Sequence, residues 1–178
     1  MTTPAEPDLV TAEELVAFRS GAGIDETRLA GIVSAIRGFC GWHIGPSKTE
    51  TLVLDGNGHN VLLLPTHRIT EVTEVVENGV TLDPDTYEWS EKGMLRRRCG
   101  AWTMRWRGVH VTLEHGYQVV PDEIKAVVLD ATTQVLATAP DAVAEKIGPF
   151  EYSGSAGGLQ FLPNQLAVLA RYRIGWGA

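Results

Sequence analysis

The sequence has little cysteine and no long apolar run, and each shortage excludes a class of protein. Its 178 residues include two cysteines, Cys40 and Cys99. A chain of this length needs no disulfide staples, so two isolated cysteines favour a reducing compartment. No apolar run approaches the roughly 18 residues of a membrane-spanning helix, and the polar segment 1–7 lacks the basic and apolar regions of a signal peptide. We therefore expect a soluble protein that is made inside a cell.

An excess of basic residues is also missing. The chain has 15 lysines and arginines against 22 aspartates and glutamates, which gives a formal net charge of -7. Binding to duplex DNA takes its affinity chiefly from basic contacts to phosphate, so this balance argues against a general duplex-DNA binder. An acidic protein can still lie beside DNA without gripping it. The hydrophobic content of 44% supports a proper core, and the length favours one domain, 1–178.

Signatures of catalysis and of bound cofactors are missing from the sequence as well. Ser153 and Ser155 lie in a glycine-rich stretch that has neither a nucleophile elbow nor the Gly-Lys-Ser/Thr end of a phosphate loop. Cys40 and His43 have the spacing of half a zinc site, but no second close ligand pair accompanies them. The spacing of the carboxylates singles out no acid/base pair, although such a pair can still form in space. We expect no metal and no cofactor.

Apolar residues at helical spacing predict a helical hairpin at 11–45, a central helix at 121–140, and a C-terminal helix and tail at 163–178. In the second helix of the hairpin, the apolar stripe consists of Leu29, Ile32, Val33, Ile36 and Cys40. The segment 141–147 is compatible with one more helical turn. The segment 148–161 is rich in glycine and serine, so we expect a flexible loop or an open hairpin there.

Alternation of polar and apolar residues predicts a β-rich region at 49–115, inserted between the helices. Three hairpins are expected in it, with strands at 51–54 and 61–64, at 69–76 and 80–82, and at 87–90 and 94–97. The turns between them contain glycine in sequences typical of hairpins. Two further strands are predicted at 102–107 and 109–115. The predicted fold class is therefore α+β, a helical core with an inserted antiparallel β-rich region.

A basic and aromatic run in the β-rich region supports an alternative function. Its members are Trp89, Lys92, Arg96, Arg97, Arg98, Trp102, Arg105, Trp106 and Arg107. Cationic grooves with stacking aromatics are typical of single-stranded nucleic-acid-binding modules. However, alternation along a strand puts Trp102, Met104 and Trp106 on one face and the arginines on the other, which a buried aromatic face and a solvated cationic face explain more simply. The cationic face is equally suited to an acidic patch on a neighbouring subunit.

The end of the chain carries the best interaction signal in the sequence. Tyr172, Ile174 and Trp176 are apolar residues in a short terminal stretch, separated by Arg173 and Gly175. Termini fray unless something holds them. Two interpretations stay open: the tail packs back onto its own domain, or it docks on a partner with its aromatic and arginine side chains as anchors.

Four segments, taken in order, resemble the head-to-tail adaptors of tailed bacteriophages. They are the string at 36–44, the strand at 109–115 that ends in Gly116-Tyr117, the start of the central helix at 121–129, and the last helix at 161–173. The resemblance covers most of the chain, is of the siphophage type, and is best matched by adaptors of actinobacterial phages. Each motif alone is weak, and the ordered set is moderately specific.

This resemblance implies a structural protein without catalytic activity, consistent with the predicted helical core and inserted β-rich region. Such adaptors assemble as a ring, usually twelvefold, beneath the portal protein after DNA packaging. They extend the channel through which DNA passes without specific binding, and they give the next head-completion or tail-terminator protein its docking surface. The expected place is the head–tail junction of the virion, after synthesis in the host cytoplasm.

The resemblance also turns particular residues into candidates. Because the C-terminal segment of related adaptors reaches the portal, the portal candidates are Leu166, Leu169, Ala170, Arg171, Tyr172, Arg173, Ile174 and Trp176. The candidates for the contact between neighbouring subunits are Arg96, Arg98, Arg105 and Arg107. An acidic channel lining lets DNA slide by repulsion, and the candidates for it are Glu71, Glu74 and Glu77.

Overall fold

Helices and strands both occur in the described part of the chain, which in this computed structural model comprises residues 9–10, 26–137, 146–147, 150–151 and 160–175. The helices are α1 (Glu26–Cys40), α2 (Asp122–Ala137) and α3 (Pro163–Ala170). The strands are β1 (Lys48–Leu54), β2 (Val61–Leu63), β3 (Ile69–Glu77), β4 (Val80–Thr81), β5 (Tyr87–Ser90), β6 (Met94–Arg97), β7 (Val109–His115), β8 (Lys146–Ile147) and β9 (Phe150–Glu151). This order confirms the predicted α+β class.

A four-stranded antiparallel sheet has the order β1-β7-β3-β4. The alternation that predicts β7 is confirmed, because Val109, Val111 and Leu113 are fully buried on the inner face. His110 and Thr112, between them, point to the opposite, outer face of the sheet. A sheet of this kind can pack one face on the core and leave the other in solvent.

A second, three-stranded sheet has the order β2-β6-β5. Its β5–β6 hairpin turns at Glu91-Lys92-Gly93, and the β3–β4 hairpin of the larger sheet turns at Asn78-Gly79. Gly79 and Gly93 both have positive φ angles, of 84° and 82°. Glycine adopts such angles without a steric penalty, so the two hairpins predicted from these turn sequences are confirmed.

The predicted hairpin between 51–54 and 61–64 is wrong. β1 pairs with β7 in the larger sheet, whereas β2 pairs with β6 in the smaller one. The connection between them bonds instead to a distant loop: the Gly56 N–H donates to the Arg105 carbonyl at 2.9 Å, and the Gly58 N–H to the Thr103 carbonyl at 3.3 Å. A Cβ atom at Gly56 would lie 1.9 Å from the Thr103 oxygen, so this approach requires glycine.

The predicted strand at 102–107 is wrong as well, and so is its buried aromatic face. Residues 103–107 form an irregular loop in which Arg107 has a φ angle of +52°. Trp102 is 2% exposed and belongs to the core, but Met104 is 81% and Trp106 87% exposed. An extended strand cannot form because the loop's backbone bonds to Asp55 through the Arg107 N–H, and to the carboxylate of Glu77 through the Thr103 N–H.

Several predicted segments fall wholly or partly outside the described residues. The first helix of the hairpin at 11–45 lies outside them, as do most of 148–161 and the last residues of the central helix. The predicted extra helical turn at 141–147 is wrong at its end, because β8 pairs there with β9 in a small antiparallel hairpin. The prediction of a flexible loop or hairpin over 148–161 stays a prediction, because nearly all of that segment lies outside the described residues.

Two hydrophobic clusters hold these elements together. The first joins the three helices and has Ile36, Ile124 and Val128 at its centre, all fully buried. The second lies between the two sheets and includes Leu95 and Val111. Burial of each such side chain contributes roughly 1.5–3 kcal/mol. The stripe predicted for α1 is confirmed, because all its residues are buried in the first cluster.

A buried ion pair joins the two sheets. Glu77, at the end of β3, is 9% exposed, and its carboxylate pairs with the guanidinium of Arg97 on β6. The same carboxylate accepts the Thr103 N–H at 2.6 Å, and Arg97 lies 5.0 Å from the ring centre of Trp102. The channel-lining assignment of Glu77 does not fit this geometry, because its carboxylate is buried and paired with Arg97.

A buried histidine links the β-rich region to the segment that follows α1. His115 shares a hydrogen bond with Thr66, and its Nε2 lies 2.8 Å from the Glu50 carboxylate. Its ring is 5.7 Å from that of His43. Burial lowers the pKa of His115 below 6.5; Glu50 raises it in part, while His43 and Lys48 lower it further. The folded protein therefore favours the neutral imidazole.

The ion pair gives a first prediction, for stability. Glu77→Ala leaves the Arg97 charge buried without its partner, so we expect the free energy of unfolding to fall by about 3 kcal/mol. Urea denaturation measures it. Glu74→Ala, an exposed position on the same strand, is the matched control and should change stability by less than about 0.5 kcal/mol. Equal effects of the two substitutions would contradict the structural role of Glu77.

The buried histidine gives a second prediction, for pH dependence. Because the folded pKa of His115 lies below 6.5, the unfolded chain takes up its proton first as the pH falls through that value. The stability contributed by neutral His115 should therefore be full above about pH 6.5 and decrease as the pH falls below that value. His115→Gln should reduce this decrease without abolishing it, since burial also lowers the pKa of His67. His59→Gln, at an exposed site, should leave the profile unchanged; an unchanged profile in His115→Gln would refute the assignment.

Candidate functional site

The last helix, α3, starts at a proline and is capped by a nearby side chain. Pro163 occupies the first turn, where its missing N–H costs nothing. The Leu162 N–H donates to the Gln165 side-chain oxygen at 2.9 Å, and the Leu166 N–H to the Leu162 carbonyl at 2.9 Å. These bonds satisfy groups that a helix start leaves open. The predicted start of this helix is confirmed.

The tail after α3 is bonded to the end of α1. The Ile174 N–H donates to the Cys40 carbonyl at 3.0 Å, and the indole N–H of Trp42 donates to the Tyr172 carbonyl at 2.6 Å. The Cys40 thiol donates to the Leu169 carbonyl at 3.6 Å. Of the two interpretations of the tail, packing onto its own domain is therefore observed for residues 171–175. Trp176 lies outside the described residues.

The structure separates the portal candidates by their exposure. Leu169 is fully buried among the helices, so its assignment as a surface contact is inconsistent with this packing. Leu166, Tyr172 and Ile174 are half-buried. Ala170, Arg171 and Arg173 are exposed, so they are accessible to a partner, although Arg171 pairs with Glu123 and the Arg173 guanidinium lies 5.8 Å from the ring centre of Phe39.

The outer edge of the tail is held only by surface contacts. The Arg171 guanidinium lies 3.3 and 3.4 Å from the two Glu123 oxygens, and the Tyr172 hydroxyl donates to the same carboxylate at 3.4 Å. Burial, together with the Glu123 charge, raises the pKa of Tyr172. Exposed ion pairs contribute less than about 1 kcal/mol, so this edge is easily opened. Nothing in the sequence pattern of the tail indicates Glu123 as its partner.

An aromatic cleft opens beside the tail. Tyr117 is its centre: its ring lies 6.1 Å from Trp42 and 6.0 Å from Tyr172, and the Arg68 guanidinium lies 4.9 Å from it. The cleft has a volume of about 310 Å³. Its full lining is Trp42, His67, Arg68, Glu91, Lys92, Tyr117, Arg171 and Tyr172. Aromatic walls with a mainly cationic rim suit an acidic or aromatic segment of another protein.

The thiol of Cys40 belongs to the core beside this cleft. Burial raises its pKa to about 11, and the nearby Arg173 only partly opposes this shift. A zinc ligand must be a thiolate, so this environment disfavours metal binding at Cys40 and His43. Among the described residues, no group of three histidine, cysteine or acidic side chains is arranged to hold a metal ion, and no helix is both long and apolar enough to cross a membrane.

The four arginines predicted for subunit contacts fall into two pairs. Arg96 and Arg98 both pair with Glu88, the latter at 3.2 Å, and the hydrogen bond from Arg96 is the main reason why the pKa of Glu88 is lowered. Arg105 and Arg107 lie in the exposed loop, and no described acidic side chain forms an ion pair with either of them. The second pair thus carries positive charge that its own subunit leaves unneutralised.

For the alternative function, in which nucleic-acid bases stack on Trp102 and Trp106, only one of the two tryptophans is accessible. Trp102 is buried beneath Arg97, so it cannot stack on a base. Trp106 remains fully available.

Of the channel-lining candidates, Glu71 and Glu74 are exposed on the outer face of the larger sheet, opposite Glu114 and Thr112 of β7.

Comparison with known proteins finds likeness in structure but not in sequence. No protein-family model matches the chain, and no curated protein does. A chain in the neck of a native gene transfer agent (GTA) particle, computed with C12 symmetry, superposes with a TM-score of 0.58 at 14% identity, over 85% of this chain and 82% of the other. A chain in the neck of an empty GTA particle, computed with C6 symmetry, superposes with a TM-score of 0.62 at 15% identity, over 99% of this chain and 95% of the other. At such identities the likeness establishes a shared fold with these neck chains.

Proposed function

We propose that this protein is a structural component of the neck of a phage-like particle, where it acts as a ring-forming adaptor between the portal and the tail. The observation that carries the proposal is the shared fold with neck chains over nearly the whole sequence. The family resemblance of the four ordered segments supports it independently. A structural role also agrees with side chains that are committed to packing, such as the buried thiol of Cys40.

The assembly we propose is a twelvefold ring of identical subunits. One of the similar necks was computed with C12 symmetry, which supports this number. A closed ring of one protein needs two different, complementary patches on each subunit. The chain has candidate patches of opposite charge, the arginines of the 103–107 loop and the acidic outer face of the larger sheet.

The portal contact we propose is the exposed part of the C-terminal surface. It consists of Ala170, Arg171 and Arg173 together with the adjoining aromatic cleft, while Leu169 stays in the core. A groove of about 730 Å³ lies on the other side of the tail, beside Ile174 and Leu63. The tail therefore presents accessible surface on two sides, and its outer edge is fixed only by the weak pairing with Glu123.

The channel lining we propose is the part of the acidic outer face that the neighbouring subunit leaves uncovered, with Glu71 and Glu74 as its candidates; Glu77 is excluded because it is buried. Exposed carboxylates repel the phosphate backbone, so DNA can pass without specific binding. The next head-completion or tail-terminator protein would dock on the face of the ring away from the portal.

Electron microscopy of intact particles tests the function directly. The chain should occupy a ring at the head–tail junction, between portal and tail, and particles made without it should lack attached tails. A complete absence of the chain from purified, tailed particles would end the proposal.

The portal contact gives a third prediction. Arg171→Glu reverses a charge at the proposed interface, so we expect binding to isolated portal rings to weaken about tenfold. The melting temperature should hardly change, because the lost ion pair with Glu123 is exposed. Arg28→Glu, an exposed site on α1, is the control with the same charge change and should bind as the unmodified protein does. Equal weakening in both variants would indicate a general charge effect and refute the site.

A further inference from the structure

The loop at 103–107, here named the Trp106 loop, displays apolar side chains that its own subunit does not cover. Trp106 is 87% exposed and Met104 81% exposed, with exposed Arg105 and Arg107 beside them. Tryptophan, methionine and arginine are the residue types enriched in protein interfaces. Isolated apolar residues are common on surfaces, but here two large ones, both more than 80% exposed, lie two positions apart on one short loop.

The Trp106 loop is held in one conformation by its backbone. The Arg105 and Thr103 carbonyls accept the Gly56 and Gly58 N–H groups, and the Arg107 N–H donates to Asp55 at 2.6 Å. The loop therefore has little backbone freedom to lose when it binds a partner. A rigid display of exposed tryptophan is expected of a binding element and is not needed for packing within the subunit.

The charge of the loop identifies the kind of surface that it fits. Arg97 pairs with Glu77, and Arg96 pairs with Glu88, within the same subunit. Arg105 and Arg107 have no such partner among the described acidic residues. Since like charges repel and opposite charges attract across an interface, the partner surface should be acidic with small apolar areas.

The outer face of the larger sheet has this composition. Successive rows across β1, β7 and β3 are Thr49–Glu114–Glu71, Thr51–Thr112–Glu74 and Val53–His110–Val76. No lysine or arginine occurs in these rows. Val53 is exposed, and Val76 of the same row lies opposite Thr81 of the neighbouring β4. Threonine and valine give a flat surface for Trp106 and Met104, and the glutamates provide partners for the two arginines.

The loop lies at the opposite end of the larger sheet from the most distant acidic row of its own subunit. Its bonds to Asp55 and Gly56 fix it at the end where β7 begins, and the Arg107 carbonyl lies 3.2 Å from Nε2 of His110 in the nearest row. Counted along β7 from Val109, the row of Glu74 is roughly 10 Å away and the row of Glu114 roughly 17 Å, at the rise of an extended strand. Among the described residues neither loop arginine forms an ion pair with these glutamates, so the glutamates stay available to another copy of the chain.

We propose that the Trp106 loop of one copy docks on the outer face of the larger sheet of the next copy, through Trp106 and Met104 in contact with its threonine and valine residues and Arg105 and Arg107 paired with Glu71, Glu74 and Glu114. The two patches are different, so the contact is heterologous and repeats around a ring if the rotation closes. This inference rests on the proposed ring function for its biological setting. Where the loop of the neighbouring copy covers these glutamates, they cannot line the channel.

Cross-linking tests the geometry of this contact. In a Cys99→Ser background, Met104→Cys is combined in turn with Thr51→Cys, Glu71→Cys or Glu74→Cys, and assembled necks are oxidised. At least one pair should give a ladder of covalent multimers up to the ring, because disulfides form only where Cβ atoms lie within about 4.5 Å. Met104→Cys with Val119→Cys, an exposed position before α2, is the control and should give no ladder. Absence of a ladder from all three pairs would overturn the proposal.

Substitutions test the energetics. Trp106→Ala should weaken association between subunits at least tenfold, whereas Trp89→Ala, at another exposed tryptophan, should not. Reversal of both loop arginines to glutamate should block assembly, and simultaneous reversal of Glu71 and Glu74 to arginine should restore it at least in part. The readout is the number of subunits per neck by electron microscopy, together with sedimentation of the purified chain.

The outcomes separate this inference from the proposed function. A normal ring with Trp106→Ala would overturn the loop contact and leave the neck role intact. If the chain is absent from necks but associates in solution through Trp106, the proposed neck function is wrong and the proposed contact between subunits still holds. If a single-stranded oligonucleotide quenches the fluorescence of the unmodified protein and Trp106→Ala abolishes this quenching, then the loop binds nucleic acid and the proposal is wrong. If Trp106→Ala lowers the melting temperature of the monomer, then the loop stabilises its own subunit and the proposal is also wrong.

Discussion

The pairing of β7 with β1 on one side and β3 on the other is the interaction on which the rest of the structure depends. Its inner side chains, Val109, Val111 and Leu113, fill the core between the sheets. Its last residue, His115, shares a hydrogen bond with Thr66 and packs against the ring of His43 in the segment after α1. The chain then continues through Gly116 into α2. One strand thus fixes the inner core, the exposed outer face and the position of the helical cluster, because a shift of register by one residue would exchange the two faces.

The elements that could be predicted are those whose signals are local. The stripe of α1, the alternation of β7 and the glycine turns of two hairpins each lie within a short stretch of sequence, and all are confirmed. The failures at 51–64 and 102–107 share one cause. The two segments bond to each other through Gly56 and Asp55, and this long-range pairing overrides a turn sequence and an alternating pattern that would otherwise form a hairpin and a strand.

The sequence predicts the candidate surfaces only in part, because long-range contacts decide which of their side chains stay exposed. The sequence indicates which residue types are available for contacts, and it predicts the tail and the arginines as contact sites. It does not show that Leu169 is covered by other helices, or that Glu77 is drawn inside by Arg97. The aromatic cleft combines Trp42, Tyr117 and Tyr172 from separate parts of the chain, so only the tertiary structure brings it together.

Neutralisation within the subunit decides which charges remain for assembly. An arginine with its own carboxylate partner gains less from a second one than an arginine without a partner does, because the first ion pair must be exchanged for the second. Arg96 and Arg98 are in this position, whereas Arg105 and Arg107 are not. In an acidic protein, two arginines that form no ion pair with a described carboxylate, beside an exposed tryptophan, are a local exception to the repulsion between copies. In the ring that we propose, these arginines meet the acidic face of the neighbouring subunit, and the two different patches give the ring its direction.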